Sequence, residues 1–182
     1  TKLAPSCVGN DACETDHEIT VFPGACKGVE ACKSAGPGKI GKNSCDGDFA
    51  CASAGGGTSL LVDEGSCIGD ESCNQYGCGS FAVGKDSCLG KYACERKIAD
   101  GSIDIGSGSC LEKQSCAILS TETSFITIGD RSCGCEDCCR CLLDGDNVPD
   151  DSCNEKGEDE CCIDYDKRGT KLAPSCVGND AC

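Results

Sequence analysis

Short segments in which apolar and outward-tolerant residues alternate recur along the chain: ITV at 19–21, LLV at 60–62, FAV at 81–83, IDI at 103–105 and ITI at 126–128. A period of two places every second side chain on one face of an extended strand, so each segment predicts a short strand with its first and third residues inward. The inward positions form two columns. One holds Val21, Ile40, Val62, Val83, Ile105, Ile128 and Val148, all β-branched. The other, two residues earlier, holds Ile19, Leu60, Phe81, Ile103 and Ile126, and is interrupted by Gly38 and Asp146. Between them lies an outward column of Thr20, Lys39, Leu61, Ala82, Asp104 and Thr127.

The strand columns are locked to a second pattern. Five residues after each β-branched position stands a cysteine, preceded by a small residue and followed, after five intervening residues, by another: SCVGNDAC, ACKGVEAC, SCDGDFAC, SCIGDESC, SCLGKYAC and SCLEKQSC, then the variants SCGCEDCC and SCNEKGEDECC, then SCVGNDAC again. The first cysteine column is Cys7, Cys26, Cys45, Cys67, Cys88, Cys110, Cys133, Cys153 and Cys176; the second is Cys13, Cys32, Cys51, Cys73, Cys94, Cys116, Cys139, Cys162 and Cys182. Successive units are 19 to 23 residues apart. A fixed period of about 21 residues, holding short strands and Gly-rich corners, predicts an all-β fold: a disulfide-stapled parallel β-solenoid (β-helix) whose coils pair with those above and below. Coils stack at about 4.8 Å, inside the usual Cα separation of a disulfide, so cysteines of one column can bond between neighbouring coils as well as across a narrow interior. Spacing leaves both patterns open.

Small residues flank both columns: Ser6, Ala25, Ser44, Ser66, Ser87, Ser109, Ser132, Ser152 and Ser175 before the first, and Ala12, Ala31, Ala50, Ser72, Ala93 and Ser115 before the second. They read as tight packing positions beside cystines. Gly9, Gly28, Gly47, Gly69, Gly90 and Gly178 follow the leading cysteine by two, where a sharp turn calls for positive φ.

Composition explains why staples are needed. The chain of 182 residues has no Trp, no Met and 4% aromatic residues, too little bulk for a conventional core, but it has 23 cysteines. Such usage predicts an oxidising, extracellular or cell-surface location. The formal net charge of −15 gives nothing with which to neutralise phosphates and excludes nucleic acid as a partner. No apolar stretch approaches a membrane span, and no signal peptide is present. Beginning at Thr1, the chain reads as a mature or excised piece of a longer secreted protein.

Residues 1–13, TKLAPSCVGNDAC, return unchanged as residues 170–182. Packing does not require that identity, which predicts a tandem array: residues 1–169 form one eight-coil unit and residues 170–182 begin the next, identical unit of a continuous solenoid. Units would stack end to end with no caps and rise roughly 38 Å each, from eight coils at about 4.8 Å.

Five cysteines of the unit lie outside the two columns: Cys78, Cys135, Cys138, Cys141 and Cys161. The unit's total is odd, so one thiol stays free or pairs outside its unit. Cys138 and Cys161 hold the small position of adjacent coils and are expected to bond to each other. The run Cys133, Cys135, Cys138, Cys139 and Cys141 resembles the dense cysteines of metallothioneins, which implies zinc or copper(I) thiolates; local cystines are the favoured reading. Asp144, Asp146, Asp150 and Asp151 resemble part of the calcium loops of thrombospondin type 3 repeats, with Leu142 and Cys153 departing from the pattern. A solvated acidic corner is the first reading there and calcium the alternative; no other cofactor is expected. His17, the single histidine, has no nucleophile pattern beside it and reads as a surface residue. Asn43, Ser44 and Cys45 form at best a rare variant of the N-glycosylation acceptor, so glycans are expected on Ser or Thr.

The unit SCxGxxAC behind a strand ending in VG or IG, as in FAVGKDSCLGKYAC and IDIGSGSCLEKQSC, resembles cysteine-rich repeats in predicted secreted proteins of diatoms and other stramenopile algae. The resemblance spans nearly the whole chain and implies structural material of fibres, surface hairs or adhesive, without a transferable activity. The function expected is therefore structural and not enzymatic. Ice binding and metal binding are the alternatives. The outward column is no threonine ladder, and the spacers are too short for the site-building loops of a β-helical polysaccharide lyase.

Overall fold

A computed structural model describes residues 6–55, 58–119, 124–136, 138, 139, 147, 148 and 150. The chain is an all-β parallel solenoid without helix among these residues. Its strands are β1 (Ile19–Val21), β2 (Gly38–Ile40), β3 (Ser59–Val62), β4 (Gln75–Val83), β5 (Arg96–Ile105), β6 (Ile118–Leu119), β7 (Ser124–Ile128) and β8 (Asn147–Val148). They form one parallel sheet ordered β1-β2-β3-β4-β5-β7-β8, with β6 also pairing β5.

The register is the one the columns imply. Val21 lies beside Ile40, Ile40 beside Val62, Val62 beside Val83, Val83 beside Ile105, Ile105 beside Ile128, and Ile128 beside Val148. All seven are buried. The outward column is likewise aligned, Thr20 with Lys39, Lys39 with Leu61, and on through Ala82 and Asp104 to Thr127. Gly38 does not break its strand: it pairs with Ile19 and Leu60, and a Cβ there would lie 1.9 Å from the Leu60 carbonyl oxygen. The backbone approaches too closely at that point for any side chain.

Two departures concern strand length. In the fourth and fifth coils β4 and β5 begin 8 or 9 residues before their inward valine or isoleucine, spanning 9 and 10 residues. NQYGCGS and RKIADGS carry no alternation, so this extension arises from mutual pairing: Gln75 with Arg96, Tyr76 with Lys97 and, after a bulge, Cys78 with Asp100. A second, shorter ladder of parallel bridges runs through the residues directly after the leading cysteines, Val8, Lys27, Asp46 and Ile68. The proposed restart at residues 170–182, and the eighth coil, lie outside the described residues.

Candidate functional site

The cysteine corner is the feature that every coil repeats, and it is built from backbone upward. Paired cysteines sit in the left-handed region, from φ 54° at Cys73 to φ 61° at Cys7 and Cys13. So does the residue four after each leading cysteine from Cys7 to Cys110, namely Asp11, Glu30, Phe49, Glu71, Tyr92 and Gln114. For a residue with a Cβ that conformation costs about 1–2 kcal/mol. What it achieves is direction: a corner this tight turns the chain while keeping its N–H groups along the stack. Cys26, Cys45, Cys67, Cys88 and Cys110 each donate their N–H to the carbonyl of the small residue one coil on, at 2.9 Å. The second column does the same, Cys32 to Ala50 at 2.8 Å and Cys51 to Ser72 at 2.9 Å.

Both side chains of a corner then point inward and meet. The bonds are Cys7–Cys13, Cys26–Cys32, Cys45–Cys51, Cys67–Cys73, Cys88–Cys94, Cys110–Cys116 and Cys133–Cys139. Each joins residues six apart in one coil, with Cα atoms 5.6 to 5.8 Å apart. Of the two patterns the spacing left open, the chain uses the one within a coil. Closing so short a loop contributes about 2 kcal/mol through the unfolded chain, which roughly offsets the strain of its two left-handed cysteines.

The cystines stack. Sulfur atoms of Cys13, Cys26 and Cys32 lie within 4.8 Å of one another, as do those of Cys32, Cys45 and Cys51, of Cys51, Cys67 and Cys73, of Cys73, Cys88 and Cys94, and of Cys94, Cys110 and Cys116. Their separation would suit a soft metal ion, but these sulfurs are held in disulfides. A cystine sulfur offers a metal no thiolate charge.

One expected bond is corrected. Cys138 pairs with Cys135 and not with Cys161. The two are three residues apart on one tight turn, with Cα atoms 5.3 Å apart, and both are buried, so the local partner is already in reach. Cys138 keeps the backbone role of the small position, its carbonyl accepting from the Cys116 N–H at 2.7 Å. Cys161 lies outside the described residues, as do Cys153, Cys162, Cys176 and Cys182.

The serines before the leading cysteines do more than fill space. Ser44, Ser66, Ser87, Ser109 and Ser132 are fully buried. The Ser66 hydroxyl donates to the Gly84 carbonyl at 2.7 Å and accepts from the Ser87 N–H at 3.3 Å. Ser87 donates to Gly106 at 2.8 Å and accepts from Ser109 at 3.2 Å, and Ser109 donates to Gly129 at 2.7 Å and accepts from Ser132 at 3.2 Å. This is a buried ladder of hydroxyls, each clamping two backbone groups of the next coil. Sequence reasoning treated these positions as packing. The signal against that was the recurrence of Ser where Ala would pack, as it does at Ala12, Ala31, Ala50 and Ala93 of the second column.

A glycine ladder runs beside them. Gly9, Gly28, Gly47 and Gly69 have φ of 145°, 128°, 147° and 127°. Gly90 does not share the expected positive φ, yet a Cβ there would still lie 2.3 Å from the Glu112 carbonyl carbon. Close approach, more than turning, is what the column requires.

On the surface, acids latch coils together. Asp48 accepts from the Val29 N–H at 2.8 Å, Asp130 from Ser107 at 2.7 Å, and Asp150 from Asp130 at 2.9 Å. Asp150, from the candidate calcium set, is thus engaged with the backbone of the preceding coil; Asp144, Asp146 and Asp151 lie outside the described residues. Ion pairs also join coils: Lys27 to Asp46 at 3.6 Å, Lys91 to Asp70 at 3.7 Å and Lys113 to Glu136 at 3.2 Å. Lys33 faces Glu30 at 3.2 Å, Glu14 at 3.7 Å and Asp11 at 3.9 Å. Its hydrogen bond to Glu30, then the charges of Glu30, Asp11 and Glu14, hold its pKa above 10.5. His17 is exposed, its backbone N–H donating to the Thr15 hydroxyl.

Compared with known families, residues 2–76 match a domain of unknown function, DUF7640. No curated protein and no solved structure matches the chain. The number of disulfides fits an oxidising environment, and among the described residues no helix is long and apolar enough to cross a membrane.

Proposed function

We propose that the chain is a structural segment of an extracellular or cell-surface fibre, with no catalytic role. The observation that carries this reading is the registered stack: inward aliphatics, buried serines, glycines and cystines recur from coil to coil, with departures such as Gly38, Ala25 and Glu112 from their columns, so each coil presents the next with much the same surface it received. Such a module extends in one direction without a new interface having to be built. The return of residues 1–13 as 170–182 supports identical units end to end. Cross-linking is the mechanism, with the backbone ladder as the axial element and a cystine closing each coil against unfolding and proteolysis. The resemblance to algal cysteine-rich repeats points the same way, with O-linked glycans where Ser and Thr are exposed. The outward column, mixing Lys39, Leu61, Ala82 and Asp104 between threonines, does not favour ice binding.

Electron microscopy of the purified native material, with electrophoresis with and without reductant, tests the proposal. Filaments with an axial repeat of roughly 38 Å are expected. Discrete, small particles at high concentration, unchanged in migration by reductant, would refute it.

A further inference from the structure

Of the eight large apolar side chains left exposed among the described residues, Val29, Phe49, Ile68 and Leu111 lie between paired cysteines. Each stands in a coil with a described coil on either side, so this exposure belongs to the outer face of the cysteine corner and not to an end of the stack. Charge on that face is sorted in blocks. The third residue after each leading cysteine forms a straight column, because the N–H that follows it donates to the same position one coil back: Phe49 to Val29 and Glu71 to Asp48 at 2.8 Å, Tyr92 to Asp70 and Gln114 to Lys91 at 3.0 Å. Along the stack this column runs Asp48, Asp70, Lys91, Lys113, two acids and then two lysines, all exposed. Like charges one coil apart, at about 4.8 Å, repel, so a lone chain would be better served by alternation. Asp70 faces Lys91 at 3.7 Å, while Lys113 turns away to Glu136 at 3.2 Å. The two acids also accept backbone N–H bonds, from Val29 and Asp48; the adjacent lysines have no such reason to stand together.

Two acids followed by two lysines is its own complement when reversed. We propose that this face binds a second copy of the chain, running antiparallel, about a two-fold axis that lies between the coils of Cys67 and Cys88 and perpendicular to the stack. Such an axis sets each column opposite itself in reversed order. Asp48 then meets Lys113 of the second copy and Asp70 meets its Lys91, and each contact occurs twice. The column directly after the leading cysteines reverses too, which brings Ile68 onto Leu89 of the second copy at the centre. At the rim Asp46 comes opposite Leu111 and keeps its in-chain partner Lys27, 3.6 Å away. A parallel pair would set acid on acid and lysine on lysine. Four coils span only about 19 Å along one corner, less than a standard interface covers, so a single contact is weak. The formal charge of −15 on each chain opposes it at low salt. The inference does not rest on the fibre reading. In a tandem array the face would recur once per unit, and many weak contacts would join two arrays of opposite direction.

The test uses the full, oxidised chain as an equal mixture of nitrogen-15-labelled and unlabelled copies at about 1 mM. Salt is held near about 0.15 M, where the repulsion between two acidic bodies is screened but groups at ion-pair distance still attract. A carbodiimide, which joins a carboxylate to an amine in contact with it, is added, and the digest is mapped by mass spectrometry. Expected are Asp48–Lys113 and Asp70–Lys91 peptides with one labelled and one unlabelled half; within one chain Asp48 and Lys113 are three coils, about 14 Å, apart. In sedimentation equilibrium, Lys113→Glu should raise the dimer Kd about tenfold, since two attractions become repulsions. Lys39→Glu changes the net charge equally but lies on the outward strand column, and should change Kd by less than about twofold. A chain that stays monomeric at this concentration, links confined to one isotope, or an equal response of the two variants would overturn the proposal.

Discussion

Replacing Ser87 by alanine isolates the serine ladder from everything around it. The hydroxyl donates to the Gly106 carbonyl at 2.8 Å and accepts from the Ser109 N–H at 3.2 Å, and the residue is fully buried. Truncation leaves one buried donor without its acceptor, costing about 1–3 kcal/mol, and removes one donor from a carbonyl, costing about 0.5–1.5 kcal/mol. The methyl that remains still fills most of the site, so the cavity contribution is small. A total of about 1.5–4.5 kcal/mol follows, and in a one-dimensional stack it should be felt at the junction of two coils and not spread through the molecule. Amide hydrogen exchange at Ser109, read by NMR, should therefore accelerate by about 10- to 2000-fold, at about 1.36 kcal/mol per factor of ten. Ser6→Ala is the control. Its hydroxyl makes the same kind of bond, to the Phe22 carbonyl at 2.8 Å, but in an exposed setting where water can substitute. It should cost under about 1 kcal/mol. The converse substitution, Ala25→Ser, supplies the one missing rung and should slow exchange at Ser44. If Ser87→Ala leaves Ser109 exchange within about threefold of the parent, or if Ser6→Ala costs as much, the hydroxyls are packing atoms and the ladder has no energetic meaning.

Three further outcomes follow from the corner. Gly28→Ala should prevent correct oxidative folding, because its Cβ would lie 2.3 Å from the Gly47 carbonyl oxygen, whereas Gly108→Ala, 3.6 Å from the Arg131 side chain, should cost only the left-handed strain of about 1–2 kcal/mol in a thermal melt. Replacing Cys67 and Cys73 together by alanine should cost about 2 kcal/mol beyond the lost sulfur packing, partly returned as the two left-handed residues relax; hydrogen exchange should localise the damage to that coil and its neighbours. Lys33→Met should lower the melting temperature slightly at neutral pH and low salt, and the difference should fade in high salt. The sign follows from a raised folded pKa: the lysine's contribution is fully present below the ordinary 10.5 and is lost as pH climbs through the raised value.

Much of this fold is legible because the chain states it repeatedly. A single ITV would be ambiguous between a strand and a piece of buried helix; seven β-branched residues at one offset from a cysteine are not, and the parallel register followed from alignment of the units alone. What escaped has a common physical cause. Left-handed φ at Cys7 or Tyr92 leaves no mark in the sequence, since neither residue prefers that conformation and only the surrounding hydrogen bonds impose it. The length of β4 and β5 arose from pairing between two segments that each lack alternation. Choosing the partner of Cys138 required the path of a turn, which the irregular spacing in CGCEDCC conceals. The serine ladder was visible as a recurrence, but its purpose depends on where the neighbouring coil places a carbonyl.

Because each cystine closes a ring within its own coil, it divides the contour of the chain into locked and releasable lengths. Pulled from its ends, the solenoid should peel one coil at a time, and each event can release only the residues outside the ring. With the ring shut, about 15 residues at about 3.5 Å each are freed, so a force trace should show steps of roughly 55 Å; after reduction the whole coil of about 21 residues is freed and the steps should lengthen to roughly 75 Å. The staples thus set a maximum extension, giving a solenoid that yields in small, equal increments and stops well short of the length its sequence would otherwise allow.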